Sequence, residues 1–160
     1  MAEAPTALNK RGSKVTVDDF KFDSQKEANF YRRFVKNCHF DYIVHPRFVL
    51  EKAGTIGTAK VRQLAYTPDF VILDRFGKMM HVYDVKNSFG VYGIDTAANM
   101  RFNLFAHRYK IPVEAVVVRR NDFKSIAQCV TKKRKTNDPL ICTGFDYDWI
   151  RATNYKEAYQ

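Results

Sequence analysis

Acidic side chains are scarce in this chain: 17 Asp and Glu stand against 27 Lys and Arg, a formal charge of +10 over 160 residues. An excess of that size favours a polyanionic partner, by its field and by counterion release, and puts nucleic acid first among partner classes. Charge alone does not choose, because ribosomal, membrane-surface and chaperone-like proteins share it. Cysteine is scarce as well: Cys38, Cys129 and Cys142 form neither an even set nor a Cys-x-x-Cys pair. That excludes a disulfide framework and points to a reducing, intracellular setting. No run approaches the roughly 18 apolar residues of a membrane span, and the N-terminus lacks a signal-type apolar segment. The expectation is a soluble, cytoplasmic chain with no membrane partner. No Ser/His/Asp order, phosphate-cradling Gly loop, Cys/His cluster or internal repeat competes for attention. What is present is 46% apolar and 14% aromatic residues, enough for one core in a chain of single-domain length.

The stretch from Leu64 to Lys86, LAYTPDFVILDRFGKMMHVYDVK, organises the rest. Leu64 to Leu73 and Met79 to Val85 are rich in β-branched and aromatic residues, and the turn formers Asp74-Arg75-Phe76-Gly77 lie between them, so the stretch reads as a β-hairpin. A two-residue loop at Phe76-Gly77 makes Arg75 face Lys78 and places Asp69 opposite Asp84. A four-residue loop shifts the pairing by two and still leaves Asp69, Asp84 and Lys86 on one face. An odd loop or a bulge separates them. Pro68 lacks the N–H of a central ladder position, so a bend, bulge or edge is expected at Asp69. A lone strand Asp is ordinarily a solvated surface group. Two carboxylates facing each other repel, however, and need a cation or a raised pKa. Mg²⁺, with its oxygen ligands and its affinity for phosphate, satisfies them, and Lys86 then supplies a cation for the nucleophile.

Thr67-Pro68-Asp69-Phe70 followed by Asp84-Val85-Lys86 resembles the signature of the PD-(D/E)XK nuclease superfamily. With Phe22-x-Ser24-x-x-Glu27 upstream, the pattern is most similar to phage recombination endonucleases, including the endonuclease I type of Holliday junction resolvase. Transposon-end endonucleases are a more distant match. The resemblance spans Phe20 to Val118, with one departure at Asn87, where many relatives carry glycine. It implies a restriction-endonuclease-like fold of the α/β (α+β) class, and Mg²⁺, with Mn²⁺ as a substitute, held by Asp69, Asp84 and Glu27. It also implies a catalytic set of Glu27, Asp69, Asp84 and Lys86, DNA as substrate with branched DNA included, a homodimer, and host cytoplasm for a phage-encoded chain.

In chain order, residues 1–19 read as a flexible basic arm carrying Lys10, Arg11 and Lys14, with a short strand at Val15 to Val17. Ser24 to about Asn37 has helical spacing with Ser24 as N-cap. Ser24-x-x-Glu27 is also a capping box, so capping and metal binding compete for the Glu27 carboxylate. Asp41 to Glu51 reads as a strand in which His45 is a partly buried structural residue or touches a phosphate. The basic loop Lys52 to Gln63, with Lys60 and Arg62, either approaches DNA or is a plain hairpin connection. After Lys86, the loop from Asn87 to Gly93 with Phe89 and Tyr92 packs under the next helix or wedges against unstacked bases. That helix runs from about Asp95 to Tyr109, and the resemblance places Arg101 facing the metal. Val113 to Val118 is a buried strand reached by a crossover, which completes an α-β-β-β-α-β core with a mixed sheet flanked by helices. Asn121-Asp122 caps a short helix through Val130. The run Lys132-Lys133-Arg134-Lys135 at its exit is a DNA-backbone patch or a solvated helix end.

The resulting division is an arm (1–19), a nuclease domain (20–136) and a C-terminal extension (137–160) that packs on the domain or on a second subunit. The function expected is a metal-dependent endodeoxyribonuclease acting in phage recombination or junction resolution. A non-catalytic DNA-binding or assembly module on the same fold and a DNA-end-cleaving, transposition-type endonuclease are the rivals.

Overall fold

A computed structural model describes residues 14–156, so Lys10 and Arg11 of the expected arm lie outside the described residues. Residues 14–19 do not behave as an arm. Strands β1 (Val15–Val17) and β2 (Phe20–Phe22) pair across Asp18-Asp19, whose φ angles of 49° and 70° make the tight turn. Asp18 accepts a hydrogen bond from the Tyr31 hydroxyl at 3.1 Å and pairs with Lys36 at 2.7 Å, pinning that turn to the helix that follows.

That helix, α1 (Gln25–Phe30), starts where the Ser24 hydroxyl accepts the Glu27 N–H, and it widens into a π-type turn over Tyr31–Val35. The chain then forms β3 (Asp41–Val44), β4 (Phe48–Glu51), β5 (Gly54–Ile56), β6 (Ala59–Val61), β7 (Leu64–Tyr66), β8 (Phe70–Leu73) and β9 (Met79–Val85). Helix α2 (Thr96–Tyr109), capped by the Asp95 side chain, leads to β10 (Glu114–Val118), β11 (Phe123–Ala127), β12 (Leu140–Cys142) and a 3₁₀ turn at Trp149–Ala152.

Six strands form one mixed sheet in the order β12-β11-β10-β9-β8-β3. Only β9 and β10 are parallel, because α2 carries the chain back between them; every other neighbouring pair is antiparallel. The architecture is α+β with a mixed central sheet. Alternation along the strands divides the core in two. Phe30 from α1 and Tyr31 and Val35 from the π-type turn pack on Phe70, Ile72, Tyr83, Val116 and Phe123. Phe102 and Phe105 from α2 pack on Val71, Val82, Val113 and Ala115, with Leu50 and Tyr66 closing the side. Among the described residues no helix is long and apolar enough to cross a membrane.

Several elements differ from the sequence reading. The stretch Asp41 to Glu51 breaks at His45-Pro46, where His45 has φ 53°, and Leu64 to Leu73 breaks at Thr67 to Asp69. The broken ends pair differently: β4 joins β7 in a separate ladder, while β3 and β8 join the main sheet. Residues 121–130 do not form the expected helix. Phe123–Ala127 is β11, buried on both faces except for the half-buried Lys124, and such a run has no clear alternation to distinguish it from a short buried helix. Lys132 to Lys135 therefore follows a strand, with no helix dipole behind it. The extension from 137 packs on this domain: β12 forms the sheet edge, and Phe145 and Ala152 are fully buried.

The central hairpin breaks the parity rule twice and restores it. Asp74 N–H donates to the Lys78 carbonyl at 2.8 Å, leaving a three-residue loop, Arg75 to Gly77, with Gly77 at φ 78°. An unbroken ladder from that loop would set Asp69 against Tyr83. A bulge at Met80, where the pairing steps from Leu73↔Met79 to Ile72↔His81, inserts one residue and brings Phe70 against Tyr83. Two odd shifts sum to an even one, so the register next to Asp69 is the one a two-residue loop would have set.

Phe30 touches the rings of Phe34, Phe70, Tyr83, Phe123 and Phe145, with centroids 5.0 to 6.1 Å away. Phe30→Ala is expected to cost about 3–5 kcal/mol, read as a lower urea midpoint at unchanged m-value.

Candidate metal centre

The end of the sheet where β3 and β9 finish and β8 begins gathers side chains from four segments. Pro68 cannot donate, and the chain bends at Asp69. The Asp69 N–H reaches the Tyr83 carbonyl at 3.0 Å, its own carbonyl accepts His45 N–H at 3.1 Å, and its carboxyl takes the Val85 N–H at 2.7 Å. The side chain therefore fills a gap in the ladder while its carboxyl also bonds that of Glu27.

Glu27 is 3% exposed in the first turn of α1. One of its oxygens accepts the Asp23 N–H at 3.0 Å, and the other meets His45 Nε2 at 2.6 Å. The competition between capping and the site is thus resolved by division. One oxygen caps Asp23 instead of Ser24, the other takes His45, and the same carboxyl also bonds Asp69. Asp84, 8% exposed, has one oxygen accepting the Tyr66 hydroxyl at 2.6 Å and the other paired with Lys86 Nζ at 3.0 Å. Lys86 Nζ lies 5.8 Å from the centre of the Phe102 ring, so its stem runs along α2.

Electrostatics reflect crowding of like charge. The Asp69 carboxyl is pushed well above the usual carboxylate range by burial, and then by the charges of Asp84 and Glu27. Burial works against the Glu27 anion too, but the bonds from His45 and Asp69 outweigh it and hold its pKa below the usual value. The bond to Glu27 raises the His45 pKa, with burial opposing. Burial and then the charge of Asp84 hold the Tyr66 hydroxyl in its neutral, donating form, while the charge of Arg101 on α2 acts the other way.

Donor atoms of Glu27, His45 and Asp69 all lie within 4.8 Å of one another. Two carboxyls with an imidazole suit a divalent cation, and Asp84 stands outside that group: carboxylate oxygens suit Mg²⁺ and Mn²⁺, and the imidazole nitrogen adds affinity for Mn²⁺. A cation would also offset the repulsion recorded in the Asp69 pKa.

Of the residues singled out from sequence, Glu27 and Asp69 join this group; Asp84, paired with Lys86, stands outside it although its charge acts on Asp69, and the charge of Arg101 reaches Tyr66. Lys60 and Arg62 are exposed on and just after β6. The basic run stands beyond β11. Lys132 Nζ lies 5.2 Å from the centre of the Tyr155 ring, Lys133 bridges to Thr153, and Arg134 bonds the carbonyls of Arg151 and Asp138, so the run is engaged with the C-terminal segment. Phe89 packs on the α2-side core while Tyr92 is 77% exposed. His45 and Tyr66 were not anticipated as site residues. The signals were His45-Pro46 at a strand end, a break like Pro68-Asp69, and a tyrosine three residues before Asp69.

The chain belongs to the DUF1064 family, described as a protein of unknown function, whose profile matches residues 9–125 and so takes in all four segments of the site. No curated protein and no solved structure matches it.

Asp69→Asn replaces a disfavoured anion by a neutral group of the same shape. In EDTA the variant is expected to be more stable by about 1 kcal/mol, a rise of roughly 2–4 °C in Tm. It should also lose the upward Tm shift that Mg²⁺ or Mn²⁺ gives the native chain.

The Glu27–His45 pair stabilises in a pH window. The raised His45 pKa contributes fully below its unfolded value of 6.5 and is lost as pH climbs through the folded value. The lowered Glu27 pKa contributes above 4.5 and is lost as pH falls through the folded value. The stability difference between native chain and His45→Gln, from urea midpoints at pH 3 to 9, should peak between these limits and shrink on both sides.

Proposed function

We propose that this chain is a metal-dependent endodeoxyribonuclease of the PD-(D/E)XK type. The observation that carries the reading is the cluster of Glu27, His45 and Asp69 at one end of a mixed sheet, with the Asp84–Lys86 pair near enough for the charge of Asp84 to act on Asp69. The path of the chain supports it: a helix, three antiparallel strands, a crossover helix and a parallel strand follow in the order such an enzyme requires. The excess of cations suits a polyanionic substrate.

A divalent cation held by Asp69, Asp84 and Glu27 would polarise a phosphoryl oxygen and make water a stronger nucleophile near neutral pH. The protein's own groups do the remaining work. The Tyr66 hydroxyl and the Lys86 ammonium each hold one oxygen of Asp84, fixing the carboxylate against rotation. Lys86 offsets the charge that grows on the phosphate as the water, giving its proton to solvent, adds in line and the P–O bond to the 3′ oxygen breaks, that oxygen taking a proton from solvent. His45 holds Glu27 in its anionic form, and the Pro68 bend brings Asp69 to it.

The preferred substrate in this reading is recombining or branched DNA, in a phage or mobile-element setting. Cutting two strands symmetrically favours a homodimer. The assay is incubation with linear, nicked and four-way-junction DNA, in Mg²⁺, Mn²⁺ or EDTA. Native chain should cut only with metal, and Asp84→Ala and Lys86→Ala should each lose about 10²-fold or more. Lys86→Ala should keep the metal-induced Tm shift, and Asp84→Ala should lose it. Binding of DNA without any cutting would select a non-catalytic module and sink the nuclease reading.

A further inference from the structure

Between β4 and β7 the chain makes an excursion that adds nothing to either core. Every residue from Glu51 to Leu64 is exposed. Beyond the Glu51↔Leu64 pair, β5 and β6 form their own two-stranded ladder, Gly54↔Val61, Thr55↔Lys60 and Ile56↔Ala59, closed by Gly57-Thr58 with Gly57 at φ 60°. Such a ribbon is marginal in water by itself, so nothing in the packing of the domain accounts for it. Five to six residues on each side, at about 3.3 Å each, give a reach of roughly 17–20 Å. The root of the ribbon is β7, whose last residue is Tyr66, so the arm springs from the strand that delivers Tyr66 and Asp69 to the metal centre.

The arm has two unlike faces. Cross-strand partners share a face, so Thr55 and Lys60 lie together, and the alternation continues to Arg62. The opposite face carries Ile56, Ala59, Val61 and Gly54, with Ile56 74% and Val61 44% exposed. Lys52, Lys60 and Arg62 are its charged residues, and no carboxylate occurs from Lys52 to Pro68. A second copy of this arm would meet it with like charge. A polyanion would not. The major groove of B-DNA, about 12 Å wide, admits a two-stranded β-ribbon, and its floor offers thymine methyl groups to apolar side chains. Long Lys and Arg stems on the outer face can reach round to the phosphates of the groove walls.

We infer that the Gly54–Val61 ribbon enters the major groove of duplex DNA beside the scissile phosphate, with Ile56, Ala59 and Val61 toward the bases and Lys60 and Arg62 on flanking phosphates. The inference rests on the nuclease reading for the identity of the polyanion. It adds duplex DNA, extending to one side of the cut for about the length of the arm, as the form the site takes.

The test measures binding in EDTA, by fluorescence anisotropy, of a labelled 30-base-pair duplex and of one of its single strands, from about 50 to 200 mM salt. The full chain is compared with Lys60→Ala/Arg62→Ala and with a form in which residues 54–61 are replaced by two glycines. For the double variant the slope of log K against log salt on duplex should become shallower by about 1.8, the loss of two phosphate contacts. The trimmed form should bind duplex at least about 10-fold more weakly at 100 mM salt. Its Tm should stay within roughly 2 °C of native, because the arm packs on nothing. On the single strand the trimming penalty should vanish. An unchanged duplex slope, an equal penalty on single strands, or loss of a dimer in sedimentation with the slope unchanged would each overturn the inference. Metal-dependent cutting by native chain with none of these shifts defeats the arm alone. Arm-dependent duplex binding without cutting defeats the nuclease reading and leaves the arm standing.

Discussion

Asp69 is half-buried, bonded to the Glu27 carboxyl and within the field of Asp84, and the open end of the sheet is arranged around that contact. Placing like charges together in a buried setting opposes folding, and the opposition is visible in an Asp69 pKa driven upward by burial, Asp84 and Glu27 in that order. The rest of the domain has to overcome it. Two packed cores, one under each helix, clamp the strands that carry these residues, so the carboxyls cannot swing apart into solvent.

The clamp works because the backbone is broken where the acids sit. Pro68 and Pro46 each interrupt a run of strand-forming residues, and the two interruptions touch: His45 N–H donates to the Asp69 carbonyl. Each break frees a side chain from strict alternation. Asp69 turns toward Glu27 on the α1 side while Asp84 stays with Tyr66 and Lys86 on the α2 side. A perfectly regular sheet would have kept Glu27 and Asp84 on opposite sides of it. The site is a junction between the two faces.

This explains what could be read from the chain directly. Asp69, Asp84 and Lys86 were legible because spacing across a turn is a local property, and the register beside Asp69 came out as anticipated for a reason that was not. The odd loop at Gly77 and the bulge at Met80 cancel, and neither has a residue signature strong enough to read alone. Glu27 was legible as a helix N-terminal acid but not in its divided role. His45 needed the knowledge that two Pro-interrupted strands meet. Residues 123–127 were misread because burial of all but the half-buried Lys124 erases the period that separates strand from helix. The basic run from Lys132 lost its expected setting with that helix.

A second buried histidine–carboxylate pair in the same sheet shows what sets the candidate site apart. His81 Nδ1 meets Glu114 at 2.6 Å, the distance found between His45 and Glu27. Glu114 also takes the hydroxyls of Ser125 and Tyr147, and the other nitrogen of His81 lies 2.9 Å from the Phe145 carbonyl. One carboxylate there is met by three protein groups, with no second acid in the network, and its chemistry is structural. At the candidate site three carboxyls share the Asp23 and Val85 N–H groups, His45, Tyr66 and Lys86. Six acidic oxygens meet five protein groups, and two of the acids spend an oxygen on each other. The same residue types give a satisfied, fully buried core in one place and, in a partly open one, a surplus of negative charge. Only the surplus calls for a partner from outside the chain.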